Sequence, residues 1–162
     1  MKTHSFRMRP DLITGALLFL TLGGGAFCQD KKECSVRIAS PKADDRLGAE
    51  VNVEGSAALP GGGARLWVFS HRKGIALWWP QGGGAAEVDG KGRWVVVATL
   101  GQDRDRGFPF EILAVVISAE ESAKIDAWFR KSEQTGDYQG MRLPPFIPGC
   151  GPGQRIDVMK TN

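Results

Sequence analysis

RWVVVATLGQDRDRGFPFEILAVVIS, residues 93–118, holds two apolar runs of strand length separated by a polar turn. RWVVVATL (93–100) and FEILAVVIS (110–118) are rich in β-branched residues, and each is bounded by glycine or charge. They read as strands, and as the centres of two opposing sheets. GQDRDRG between them reads as a solvated turn.

Working outward, the amino-terminal side repeats a period of two. In CSVRIAS (34–40), Val36 and Ile38 alternate with Arg37; at 49–57, Val51 and Val53 alternate with Asn52 and Glu54. That is the pattern of half-buried strands. After the break at Pro60–Gly61–Gly62–Gly63, RLWVFSH (65–71) reads as a strand with a hairpin tip at Arg72–Lys73–Gly74. A return strand is expected over 75–79, stopped by Pro80, and a short strand over 86–88 before the Asp89–Gly90 turn. On the carboxyl side, Ser118 precedes Glu121 by three, the capping-box spacing, ahead of a helix carrying Ala123, Ile125, Trp128 and Phe129. Arg130 and Lys131 suit its C-terminal end, and Gly136 marks the exit. Residues 138–148 read as a Gly- and Pro-rich crossing loop, and RIDVM (155–159) as the last strand. Seven or eight short strands with Gly/Pro turns indicate an all-β sandwich with one helix inserted before the last strand.

The 162 residues suffice for one domain. Lys2, His4, Arg7 and Arg9 precede an uncharged run, LITGALLFLTL (12–22), and then Gly23, Gly24, Gly25 and Ala26. That order is the one expected of an export signal. The division is therefore 1–26, signal peptide, and 27–162, the sandwich domain. Cleavage after Cys28 and retention as an anchor are the alternatives, although the run is short for a membrane span. Lipidation of Cys28 is a further one, disfavoured by Phe27 before it. The formal charge of +3 comes from 21 basic and 18 acidic residues; without Lys2, Arg7, Arg9 and Asp11 it is 18 against 17. So near a balance gives no support for nucleic-acid binding. A periplasmic or secreted location permits disulfides. Cys34 and Cys150 are expected to bridge if the first and last strands run side by side and parallel; two reduced, buried cysteines are the alternative.

No catalytic constellation stands out, and the protein is expected not to be an enzyme. His71, the one histidine after His4, sits beside Ser70, but neighbours in a strand point to opposite faces. It reads as a solvated hairpin residue. Asp103, Asp105 and Glu111 could pair as carboxylates or hold a cation, yet a D-x-D spacing is too common to be specific. The glycine triplets lack the residues of a phosphate-binding loop. No metal and no cofactor are expected. The stronger signal is aromatic: Trp67, Trp78, Trp79 and Trp94 fall close together, with Trp128 on the helix. Trp78 and Trp79 must face opposite sides, so one of them is expected either at a surface, near His71 and Arg72, or under the helix. The plain alternative is that all five tryptophans are core.

LPGGGARLWVFSHRKGIALWWPQGG (59–83), VDGKGRWVVVATLG (88–101) and GFPFEILAVV (107–116) resemble a bacterial family of extracytoplasmic immunoglobulin-like β-sandwich domains with LWV, WWPQ and DG-x-W type motifs. The matching residues are Pro41, Val53, Gly55, Ala57, Leu59, Pro60, Trp67, Trp78, Trp79, Pro80, Gln81, Asp89, Gly90, Trp94, Phe110, Glu111 and Ile112. GKG before Trp94 is an insertion relative to the commonest form. The resemblance covers most of residues 35–160 and implies an immunoglobulin-like sandwich outside the cytoplasm, with no assigned chemistry. The expected function is a non-enzymatic exported module binding an envelope or extracellular protein through Trp78, Trp79, His71 and Arg72. Carbohydrate or cell-wall glycan binding through an exposed tryptophan is the alternative. No nucleic-acid partner and no membrane span in the mature chain are expected.

Overall fold

The computed structural model describes residues 33–161; the expected signal segment and Cys28 lie outside them. In chain order the elements are β1 (Ser35–Ser40), β2 (Arg46–Leu47), β3 (Glu50–Ala58), β4 (Arg65–Arg72), β5 (Trp79–Pro80), β6 (Arg93–Thr99), β7 (Pro109–Ile117), α1 (Ala119–Thr135) and β8 (Gln154–Lys160). One sheet runs β1-β3-β6 and the other β2-β8-β7-β4-β5. All pairings are antiparallel except β2 with β8. The described residues are thus β-dominant, with two sheets and one α-helix placed before the last strand.

Side-chain alternation divides the large sheet into two faces. Leu66 and Val68 on β4, Ile112, Ala114 and Val116 on β7, and Ile156 and Val158 on β8 share one core with Val53, Trp94, Val96 and Ala98 of the small sheet. The intervening residues Trp67, Phe69, Leu113, Val115 and Ile117 form a second cluster, closed by Ile125 of α1. β4 and β7 are therefore buried on both faces, which accounts for their unbroken apolar runs. β6 is different. Its VVV looks equally central, but Trp94, Val96 and Ala98 are buried while Val95 and Val97 are 59% and 52% exposed. It is an edge strand, paired only with β3. The expectation of two central strands holds for β7 alone.

Three further differences have local causes. The return of the 65–79 hairpin is only Trp79–Pro80, paired with Ser70 and Phe69, because Trp78 pairs instead with Met141 of the crossing loop. Pro80 is tolerated inside that strand because β5 is an edge. The 86–88 strand reduces to one bridge, Ala86 to Leu66. β2, hidden in the charged stretch after Pro41, crosses to the large sheet and pairs with Met159 and Lys160. α1 begins where expected: Ser118 Oγ accepts from Glu121 N at 3.2 Å. Gly136, in the left-handed region (φ 71°), donates its N–H to Ser132 O. The helix extends to Thr135, so Arg130 and Lys131 stand a turn before its end.

Cys34 and Cys150 form a disulfide with Cα atoms 4.8 Å apart, closing a separation of 116 residues. Ile38 N donates to Gln154 Oε1 at 2.6 Å, so β1 and β8 advance in the same direction from the bridge. They lie in different sheets, however; it is β2 that runs parallel beside β8. Fixing these two starts constrains almost the whole described chain, worth up to about 5 kcal/mol by the chain-entropy model.

Candidate functional site

β5 and β6, one edge strand from each sheet, meet at one side of the described domain. Gln81, just after β5, joins them: its Oε1 accepts from Thr99 N at 2.7 Å and its Nε2 donates to Trp79 O at 2.8 Å. Ser70 Oγ donates to Thr99 O at 3.1 Å. Beside this seam an open groove of ≈ 790 Å³ combines the rings of Trp79, Trp128, Phe129 and Tyr138 with the polar groups of Arg72, Gln102, Arg104, Asp105 and Glu133.

The two indoles in this groove are positioned by hydrogen bonds that use their only donor. Trp79 Nε1 donates to Tyr138 O at 2.8 Å, and Trp128 Nε1 donates to Gln139 O at 3.0 Å. Both partners are carbonyls of the turn following α1, so that turn is fastened to the sheet edge and the helix together. Trp128 also meets Tyr138 edge-on, with centroids 6.0 Å apart. Gly140 makes the fit possible: a Cβ there would lie 2.7 Å from Trp79 Cζ2 and from Leu77 Cβ. With their N–H groups satisfied, Trp79 and Trp128 offer ring faces to a ligand without leaving a buried donor unpaired.

The sequence-derived residues divide between surface and support. Trp79 is half-buried and lines the groove, whereas Trp78 is 6% exposed and belongs to the cluster beneath α1. Trp78 N and O exchange 2.8 Å hydrogen bonds with Met141, which locks the crossing loop to the sheet. Its ring stacks on His71 at 3.8 Å between centroids, and the Arg155 guanidinium lies 5.3 Å from it. His71 is correspondingly 9% exposed, so the expected solvated hairpin histidine is corrected: it is a packed residue of β4. Because Ile75 O sits 2.8 Å from His71 Nδ1, that nitrogen carries a proton; Nε2 is 3.8 Å from Glu111 Oε2, beyond hydrogen-bond range. Arg72 lines the groove, donating to Asp105 Oδ1 at 3.1 Å while its guanidinium covers the Phe108 ring.

Of the three carboxylates considered for chemistry, Asp105 and Glu111 are engaged with separate partners. Asp105 Oδ2 accepts from Gln102 N as well, and Glu111 Oε1 accepts from Arg155 at 2.9 Å. Among the described residues, no group of three or more His, Cys, Asp or Glu is placed to hold a metal ion. No described helix is long and apolar enough to cross a membrane.

The chain matches no known family model and no curated protein. What the structure carries of the family resemblance is the β-rich fold with two sheets and one helix.

Sequence reading missed Tyr138 and Glu133 and did not place Trp128 at the site. Ile125 and Phe129 face the sheet, and Trp128, three after Ile125, falls on the flank of that stripe. Such a flanking aromatic was the available signal, together with the chain's single tyrosine in a Gly/Pro-rich loop.

Proposed function

We propose that this protein is an exported, non-enzymatic, immunoglobulin-like module that binds a protein of the cell envelope or extracellular space through the Trp79–Trp128–Tyr138 groove. The strand order supports the fold assignment. β1-β3-β6 facing β8-β7-β4 follows the A-B-E and G-F-C sheets of an immunoglobulin-type sandwich, with β5 added at the outer edge. Three departures are the helix between the F and G equivalents, the lack among the described residues of a D strand beside β6, and a disulfide joining the two terminal strands' approaches instead of B to F. The basic and apolar leader, together with the bridge, supports a periplasmic or secreted location.

The observation that carries the binding reading is the orientation of the groove indoles. Both are held by carbonyls of one turn, both keep ring surface open, and Arg72 and Glu133 supply charge beside them. Rigid aromatics beside an arginine are what protein-binding hot spots use. A pull-down from solubilised envelope tests this, comparing the native chain with Trp79→Ala and Trp128→Ala. Loss of one protein partner from both variants, with unfolding midpoints near the native value, is the expected result. Retention by both variants, or recovery of glycan alone, contradicts it.

A further inference from the structure

The free edge of β6 is closed at both ends and open between them. Ala57 N donates to Gly92 O and Leu100 N to Ala49 O, which continues the β3–β6 register (Ser56 opposite Arg93, Glu50 opposite Thr99) by one step at each end. Antiparallel pairing alternates, so the even-numbered residues of β6 bond to β3 while 93, 95, 97 and 99 turn their N–H and C=O to the free side. At one end Arg93 N donates to Asp89 Oδ1, and Arg93 O accepts from Asp89 N. At the other, Thr99 is taken by Gln81 and Ser70. Val95 and Val97 remain, with two donors and two acceptors that no described residue engages.

Natural edge strands are usually shielded by charge, bulges or a covering segment. Here the two open residues are exposed valines. The segment 82–89 borders them across a groove of ≈ 900 Å³; Gly82 lies close against Val96, and beyond it the lining is small, Gly84, Ala85 and Ala86, with open space beside Gly84. Glu54, Glu87 and Asp89 also line the groove against a single cation, Arg93, which is already paired with Asp89.

We propose that β6 accepts one extended peptide strand from another protein, with β-branched residues at alternate positions and basic residues at its flanks. Main-chain bonds to Val95 and Val97 would supply affinity, and the acidic rim would select the charge. A second copy of this chain presents the same acidic rim and meets like charge. The proposal rests on the groove beside β6, whose lining overlaps that of the aromatic groove only at Gly82 and Val97.

The test uses the disulfide-intact chain and the probe acetyl-Lys-Thr-Val-Thr-Val-Lys-amide. Titration calorimetry is combined with amide exchange read residue by residue. The probe is expected to bind and to slow exchange at Val95 and Val97 by about tenfold or more. The same peptide N-methylated on alternate amides, and a Glu-flanked version, are expected to bind at least about tenfold more weakly. Glu87→Lys should weaken the Lys-flanked probe about fivefold. Absence of binding, unchanged exchange at both valines, or equal affinity of the N-methylated peptide overturns the proposal. An unaffected Glu87→Lys overturns the basic partner. Concentration-dependent doubling of mass, with both valines protected in the absence of peptide, assigns the edge to a second copy and likewise overturns it.

Discussion

Trp67 and Trp79 stand on neighbouring strands of one sheet and have opposite surroundings. Trp67 has no exposed surface: Phe69 and Phe129 pack on it, and its Nε1 donates to Ser122 Oγ, 3.0 Å away on α1. Trp79 stands at the sheet edge, tied by its Nε1 to the turn after the same helix, and keeps ring surface open to the groove. One helix thus seals the middle of the face with Ile125 and Phe129 and frames the edge with Trp128. The difference teaches that aromatic content alone does not mark function. What separates the two rings is whether both faces are covered once the indole donor is satisfied.

Substitutions should break that contrast in order of burial. Trp67→Ala is expected to cost about 3–5 kcal/mol, because it empties a fully buried site between sheet and helix. Urea unfolding checks this, and a loss below about 1 kcal/mol would remove the distinction from Trp79. The double variant Cys34→Ser/Cys150→Ser should lose about 2–5 kcal/mol without altering either ring's immediate contacts. Its effect should equal that of adding reductant to the native chain. Ser122→Ala sharpens the comparison within the Trp67 site: the ring remains but its buried donor loses its acceptor, at about 1–3 kcal/mol. Trp79→Ala, by contrast, should change the unfolding midpoint little while abolishing partner capture.

The smallest effect concerns Asp89, remote from both rings. Its carboxyl is held below the usual carboxylate range, first by the backbone N–H of Arg93 and then by the Arg93 side chain. A depressed folded-state value stabilises the protein above the unfolded pKa, and that contribution is lost as pH falls through the folded one. Asp89→Asn should therefore lower the urea midpoint slightly at about pH 7, and the two curves should converge as acid protonates the folded-state carboxyl. A difference that persists unchanged in acid would assign the effect to geometry instead of charge.

Much of the fold was legible because burial on one face or two leaves a periodic trace. Val36/Ile38 and Val51/Val53 alternate, and FEILAVVIS does not, as their surroundings require. β6 was misleading because valine is favoured in strands whether buried or exposed. Val95 and Val97 therefore look like core residues in sequence. β2 was illegible for a different reason: a two-residue strand has no period, and its position depends on β8 more than a hundred residues later. At the candidate site, the sequence showed that Trp78 and Trp79 diverge without showing which is outward. That is decided by Met141 and the crossing loop, whose route is a tertiary matter. Tyr138 was invisible for the same cause, since its place beside Trp79 depends on that route.

The central claim, that the open aromatic groove and not the buried aromatic cluster meets the partner, is tested most directly by photo-crosslinking from position 138. A benzophenone-bearing residue replacing Tyr138 should give an adduct with one envelope or extracellular protein upon irradiation, and Trp79→Ala in the same chain should abolish it. An adduct that survives Trp79→Ala, or the absence of any protein adduct from a folded chain, would contradict the account.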